Sequence, residues 1–313
     1  MIGLILNRML HAVAVLFGVV SVTFVLLHLA GDPLAGLIPP GASPEVEAEI
    51  RRAYGLDRSL AEQYVDFVGG AMRGDFGDSW RQGRPALAAV LERLPATIAL
   101  AAAATALAVG VGCALGVVAA ARPGSLWDGA ARLATLLGQA IPAFWLGTML
   151  ILVFAVDLRW LPASGLPGPS GIVLPALALA AYPAAALTRL LRASLLEALG
   201  ADYVRTARAK GLPRARILLD HALRNAALPA LAFIGVQAGF LLGGAVIVEG
   251  VFAYPGVGSL ALDAVATRDI PLVEAFVWVI AVFILAVNAA TGIAAALLDP
   301  RLRDGPALAG GAI

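Results

Sequence analysis

Six runs of apolar residues, at about 9–30, 95–121, 133–156, 172–192, 229–249 and 274–298, punctuate the 313-residue chain. Each supplies the ~20 residues that a helix rising 1.5 Å per residue needs to cross roughly 30 Å of hydrocarbon. In lipid a backbone must satisfy its own amide groups, and a continuous apolar run does so as a helix. The pattern predicts an all-α polytopic membrane protein with six transmembrane helices. The connections differ sharply in character. Residues 31–94 are long and acidic-leaning, 122–132 short, 157–171 rich in Pro and Gly, 193–228 densely basic and 250–273 mixed.

Composition agrees: 60% hydrophobic and 14% charged residues exclude an ordinary soluble domain. The one cysteine, Cys113, lies inside an apolar run, which excludes a disulfide framework or a multi-cysteine metal site. The net charge of +1 says little, because the signs are segregated along the chain. Their placement says more. With the N-terminus in the cytoplasm, the inner segments hold 13 of the 22 Arg and Lys residues, eight of them between Arg189 and Arg224. The short outer connections then hold only Arg159 and Arg268. Positive residues accumulate on the cytoplasmic side, so both termini are expected there. Arg8 precedes the first run as in a signal peptide, but the run is too long and Leu27-His28-Leu29-Ala30 lacks a small-x-small cleavage pattern, so it reads as a retained span.

The long outer segment reads as a small folded cap. Ser43-Pro44 ahead of EVEAEIRR is a helix start, and Ser59-Leu60-Ala61-Glu62 is a capping box opening a second helix that ends near Gly74. In the other outer connection Pro255-Gly256 marks a turn, and Ser259 is expected to cap a short helix through Val265.

The densest basic run is YVRTARAKGLPRARILLDHALRN, residues 203–225. Span four is expected to continue unbroken to Lys210, where Gly211 and then Pro213 stop it. A second helix would begin near Pro213, with Arg216, Asp220 and Arg224 as a charged stripe and Leu219, Leu223 and Ala226 as an apolar one. Positive-inside anchoring or binding of anionic headgroups accounts for single arginines. It does not account for a Gly-broken helical hairpin, since a short Arg-bearing turn would anchor as well.

This hairpin resembles the cytoplasmic "EAA" loop of ABC-importer permeases. Arg205-Thr206-Ala207 fall on its E-A-A positions, Gly211 on its glycine, and His221-Ala222-Leu223-Arg224 on its Ile-x-Leu-Pro positions. Ala207, Gly211 and Leu223 match, whereas the Glu, Ile and Pro do not. Wider stretches are similar to the dipeptide/oligopeptide/nickel branch: DYVRTARAKGL, HALRNA, GLDRSLAEQY, GDFGDSW, LPATIALA, IPAFWLGT, WLPASG, VFAYPGVGSLALDAVATRDIP and LDPRLR, in order along almost the whole chain.

The resemblance implies a type-I ABC importer permease fold in a bacterial inner membrane, in the subunit that has an isolated first helix. Residues 1–30 would be that helix, 31–94 the external loop, 95–303 the five-helix core with its coupling loop at 193–228, and 304–313 a tail. It implies transport of dipeptides or oligopeptides, or of nickel or glutathione-like solutes. The implied partners are a homologous second permease subunit, two cytoplasmic ATPases and an extracytoplasmic solute-binding protein. The coupling residues would be Tyr203, Arg205, Thr206, Ala207, Arg208, Lys210, Gly211 and Leu223. Arg205, Arg208 and Lys210 would meet acidic groove residues, and Ala207 and Gly211 would allow close approach.

The chain itself is not expected to be an enzyme or to bind a cofactor or metal, with ATP and magnesium on the ATPases. Its one lysine, Lys210, follows Ala209, so no phosphate-cradling G-x-x-x-x-G-K-[ST] loop exists. Within the spans, Gln139, Gln237, Asn288 and Thr291 read either as interhelical hydrogen-bond glue or as a weakly polar lining for a peptide-like solute. Asp157, Glu249, Glu274 and Asp299 all lie near span ends. That argues against the alternative, a secondary carrier or channel, since ion-coupled carriers place coupling groups near the midplane. Gly235, Gly239 and Gly243 form a flat ridge for helix packing, as do Gly112 and Gly116. Pro142, Pro175 and Pro183 are expected to bend spans three and four.

Overall fold

The computed structural model describes residues 2–29, 38 and 42–298. Five of the six apolar runs are single long helices: α1 (Ile2–Leu29), α4 (Ala86–Ala121), α7 (Val173–Gly200), α10 (Leu223–Val251) and α12 (Ile270–Leu298). The cap supplies α2 (Pro44–Ala53) and α3 (Leu60–Arg73). The third run is broken. It comprises α5 (Leu126–Ala140) and α6 (Ala143–Leu150), which continues as a π-helical stretch Ile151–Asp157, with a 106° bend between the two parts. Pro142 has no amide hydrogen to extend the α5 ladder, and Ile141 before it adopts extended backbone (φ −84°, ψ 122°), as pre-proline residues prefer. Pro175 sits in the first turn of α7, and the helix runs on through Pro183 without a break.

Two compact units partition the chain. The first comprises Met1–Thr97 and Pro255–Ala286. Here α3 opens on the expected capping box: Ser59 Oγ accepts from Glu62 N, and the Glu62 carboxylate accepts from Ser59 N. It closes on Gly74 in the left-handed conformation (φ 72°). The apolar face of α3 packs on α1, where Phe24 stacks on Phe67 and meets the edge of Tyr64. Tyr64 Oη and Ser21 Oγ share a hydrogen bond of 2.6 Å, and His28 Nε2 lies 3.1 Å from Gln63 Oε1. The cap helix therefore finds its partner surface within its own chain.

The helix after the Pro255-Gly256 turn, α11 (Val257–Thr267), starts earlier than its hydroxyl suggests. Gly256 is the N-cap, and Ser259 lies inside the first turn, donating back to Gly256 O (2.9 Å). Beyond α11, Asp269 is fully buried. Its carboxylate accepts from Ser79 Oγ, from Trp80 N (3.2 Å) and from Arg81 N (3.2 Å). One acid thus ties the loop before α4 to the turn between α11 and α12.

The second unit comprises Ile98–Tyr254 and Val287–Ile313. Its centre is α7, whose apolar window is 72% buried against 28% or less for the other long helices. Lipid tails are as apolar as leucine, so helices in a bilayer gain association from close packing, which small residues permit. A Cβ at Gly112 would lie 2.9 Å from Ala184 O, one at Gly116 3.1 Å from Leu191 Cβ, and one at Gly138 2.9 Å from Ala185 Cβ. Thus α4 and α5 approach the α7 backbone directly. Thr188 Oγ1 satisfies itself on Ala184 O (2.8 Å) and also reaches Gly112 O (3.3 Å) across the α4–α7 contact.

Two outcomes are expected. Gly112→Val should overpack the α4–α7 contact at a cost of about 1–3 kcal/mol, lowering the melting temperature of the purified protein, whereas Gly110→Val, facing open space on the same helix, should not. Asp269→Ala leaves the Ser79, Trp80 and Arg81 donors without their acceptor, at about 1–3 kcal/mol. Hydrogen exchange of residues 79–82 should accelerate, and unchanged protection would contradict the assigned tie.

Candidate functional site

The basic run folds into an elbow, built differently from the continuous helix its sequence suggests. Helix α7 ends at Gly200, and Ala201 takes extended backbone (φ −72°, ψ 155°) as the N-cap of a separate helix, α8 (Asp202–Ala209). Asp202 in the first turn of α8 complements the positive helix end, which favours a restart there. Helix α8 stops as expected: Gly211 is left-handed (φ 73°), Gly211 N donates to Arg208 O (2.9 Å), and Leu212 N to Ala207 O (3.3 Å).

The return arm begins after Pro213 as α9 (Arg214–Arg216), passes through a π-helical stretch Ile217–Ala222, and becomes α10 without a gap. A π turn carries more residues than an α turn and rotates the face that follows. The buried line is accordingly Leu218, Ala222 and Ala226, while Leu219, expected to be apolar and inward, is 53% exposed. Leu223 is partly buried against the same cluster. The charged stripe survives in part, with Arg216 and Asp220 paired at 3.4 Å.

Inside the elbow, Val204, Ala207 and Ile217 form a small apolar knuckle with Leu199 and Leu212. Ala207 therefore faces its own chain, where its small size lets α8 pack on the return arm. Tyr203, Arg205, Thr206, Arg208, Lys210 and Gly211 are exposed. Two arginines of the run have structural duties. Arg208 Nη2 donates to Leu199 O (3.3 Å) at the end of α7, and Arg214 Nη2 to Ala121 O (3.0 Å) at the end of α4. Arg205 makes a solvent-facing pair with Asp202 (3.3 Å). The Lys210 amide donates to Thr206 O (3.1 Å), and its ammonium makes no hydrogen bond or ion pair among the described residues. The outer face of α8 is a cationic surface on a rigid apolar base.

Just above the elbow lies a pair whose connection no local pattern reveals. Asp128, 1% exposed, accepts from Arg192 Nε (2.7 Å), Arg192 Nη2 (2.9 Å) and Gly124 N (3.0 Å). Positive-inside counting makes Arg192 only one more anchor. The available signal was a lone acid in the otherwise basic 122–132 connection.

Among the described residues the polar side chains of the spans have different surroundings. Gln139 lies at the end of α5, and its amide Nε2 is buried without a hydrogen-bond partner among the described residues. Gln237 lines a crevice of about 10 Å³ with Thr105, Pro183 and Phe233, room for roughly one water. Asn288 is exposed. Thr291 Oγ1 donates to Val287 O (2.8 Å) and reaches Gly235 O (3.5 Å), and only a glycine fits at 235 beneath the Thr291 side chain. Gly239 is buried, while Gly243 is exposed with open space before it. The expected end of the last span and the tail, residues 299–313 with Asp299, Arg301 and Arg303, lie outside the described residues.

Comparison with known proteins converges on one family. The family model "Binding-protein-dependent transport system inner membrane component" matches residues 112–304, and the model of the N-terminal part of such components matches residues 1–101. The chain is 36% identical to the di/tripeptide transport system permease protein DppB of Pseudomonas aeruginosa (strain UCBPP-PA14), over 97% of this chain and 99% of the relative. It is also 36% identical to the oligopeptide transport system permease protein AppB of Bacillus subtilis (strain 168), over 96% and 99%. In fold it resembles a chain of the MetNI methionine ABC transporter in inward-facing conformations, with a TM-score of 0.54 at 17% identity, covering 67% of this chain and 96% of that one. With its helical membrane fold, the chain belongs to the family of inner-membrane components of binding-protein-dependent transport systems, as a multi-pass permease subunit of an ABC importer.

Proposed function

We propose that this chain imports dipeptides or oligopeptides as one half of a permease heterodimer, driven through its elbow by ATPase subunits. The observation that carries the reading is α8: a separately folded helix, fixed on an apolar knuckle and presenting Tyr203, Arg205, Thr206 and Lys210 outward. The peptide class is supported by the relatives, whose names specify di/tripeptide and oligopeptide transport. Both termini and the elbow would face the cytoplasm, a reading supported by the distribution of Arg and Lys. Two ATPases would then bind on the elbow side and a solute-binding protein on the other, against the cap and the 250–273 connection.

The elbow suits transmission of force. Its knuckle makes α8 and the return arm move as one body, and that body joins α7 through Ala201 and α10 through an unbroken helix. Closure of the ATPases on nucleotide would displace it, a rigid-body step that biases the packed bundle between two arrangements. Hydrolysis, with its ATP and magnesium, belongs to the ATPases. This chain supplies the pathway, and Gln139, Gln237 and Asn288 are its candidate polar lining, completed by the second permease subunit. The exposed Gly243 would lie against that subunit.

Because Arg208 is engaged on Leu199 O, the sharper docking test is Arg205→Glu with Lys210→Glu. Charge-assisted hydrogen bonds contribute about 1.5–3 kcal/mol each, so the ATPase captured on copurification should fall about tenfold or more. Undiminished capture would make these cations topological anchors only. Gly211→Val forces a β-branched residue to φ 73°, at about 1–2 kcal/mol. Membrane insertion should persist while ATP-driven uptake of radiolabelled alanyl-alanine declines, and wild-type uptake would remove the turn from the coupling route.

A further inference from the structure

We propose that Asp128 is a positioning residue that links the elbow sideways to the broken third span. The inference rests on the elbow being where ATPase movement enters the chain. The 122–125 turn between α4 and α5 is gripped at both ends by the elbow's neighbours. At one end Arg192, two turns before the close of α7, holds the Asp128 carboxylate through two nitrogens, at 2.7 and 2.9 Å. At the other, Arg214 on the return arm donates to Ala121 O at 3.0 Å. Gly124 N and the Ser125 cap complete the hold: Gly124 N donates to Asp128, and Asp128 N to Ser125 Oγ.

Packing alone does not explain such a pair. Taking charge even partly out of water costs more than burying apolar groups of similar size, so this pair, with Asp128 buried and Arg192 a quarter exposed, stabilises little but fixes geometry. A two-pronged guanidinium–carboxylate contact fixes direction as well as distance. Here the direction runs from α7 into the first turn of α5, and α5 ends at the 106° bend of Ile141–Pro142. With α5 also packed on α7 through Gly138, displacement of the elbow drags α5 as a lever. The bend, already free of a helical hydrogen bond at Pro142, absorbs the motion. Force thus reaches the third span directly as well as along α7 and α10.

The test uses the complete complex of permease subunits and ATPases in lipid vesicles, with alanyl-alanine as the probe solute. Asp128→Asn and the milder Arg192→Lys, which keeps the charge but loses the two-pronged contact, should still capture the ATPase. Dipeptide moved per ATP hydrolysed should fall about 3- to 30-fold. The exchanged pair, Asp128→Arg with Arg192→Asp, should recover most of it. Independently of any solute, spin labels at Leu136→Cys on α5 and Ala209→Cys on α8, with Cys113→Ala, should keep a constant separation on ATP addition. In the Asp128→Asn background that separation should shift or broaden. An unchanged transport-to-hydrolysis ratio, or uptake, hydrolysis and melting temperature falling in parallel in both single variants, would overturn the proposal. Failure of the wild-type chain to hold any ATPase would overturn the importer reading first, and this inference with it.

Discussion

Close approach of neighbouring backbones to α7 is the constraint on which the second unit depends. Without a hydrophobic force to drive helices together in lipid, contact must come from surfaces that fit. Gly112, Gly116 and Gly138 bring α4 and α5 to the α7 carbonyls and Cβ atoms at spacings that a side chain would forbid. A helix so tightly held is a poor hinge and a good lever. Its free end carries α8, so whatever moves α8 must act on the whole packed bundle.

The elbow separates two tasks that one helix face cannot perform together. Val204, Ala207 and Ile217 turn inward and make the corner stiff, while the cations of α8 turn outward. Part of the basic charge is used internally. Arg208, Arg214 and Arg192 bind the end of α7, the end of α4 and the start of α5 in turn. The high charge of this run therefore reflects both a presented surface and the capping of helix ends that meet there.

Hydropathy alone made the six apolar segments legible, because the bilayer imposes a length that the chain must meet. Local chemistry carried Ser59 to its capping box and Gly211 to its left-handed turn. What was not legible depends on backbone breaks and distant partners. Pro142 marked a bend in span three but not its 106°, and Gly200 and Asp202 are weak marks for the helix restart at Ala201, since a longer helix tolerates both. The π stretch at Ile217–Ala222 rotates the inward face from Leu219 to Leu218. Asp269 meets Ser79 across 190 positions and Asp128 meets Arg192 across 64, separations at which no spacing rule operates. Ala207 matched a family motif position, yet its neighbours are residues of its own chain.

The central claim, that a nucleotide-hydrolysing subunit grips α8, is tested most directly by a photoreactive amino acid placed in the intact membrane. A benzoylphenylalanine at Thr206, on the outward face of α8, should capture a Walker-motif ATPase identified by mass spectrometry. The same probe at Leu262 on α11, expected on the opposite side of the membrane, should not. Absence of ATPase capture at Thr206, or equal capture at Leu262, would contradict the account.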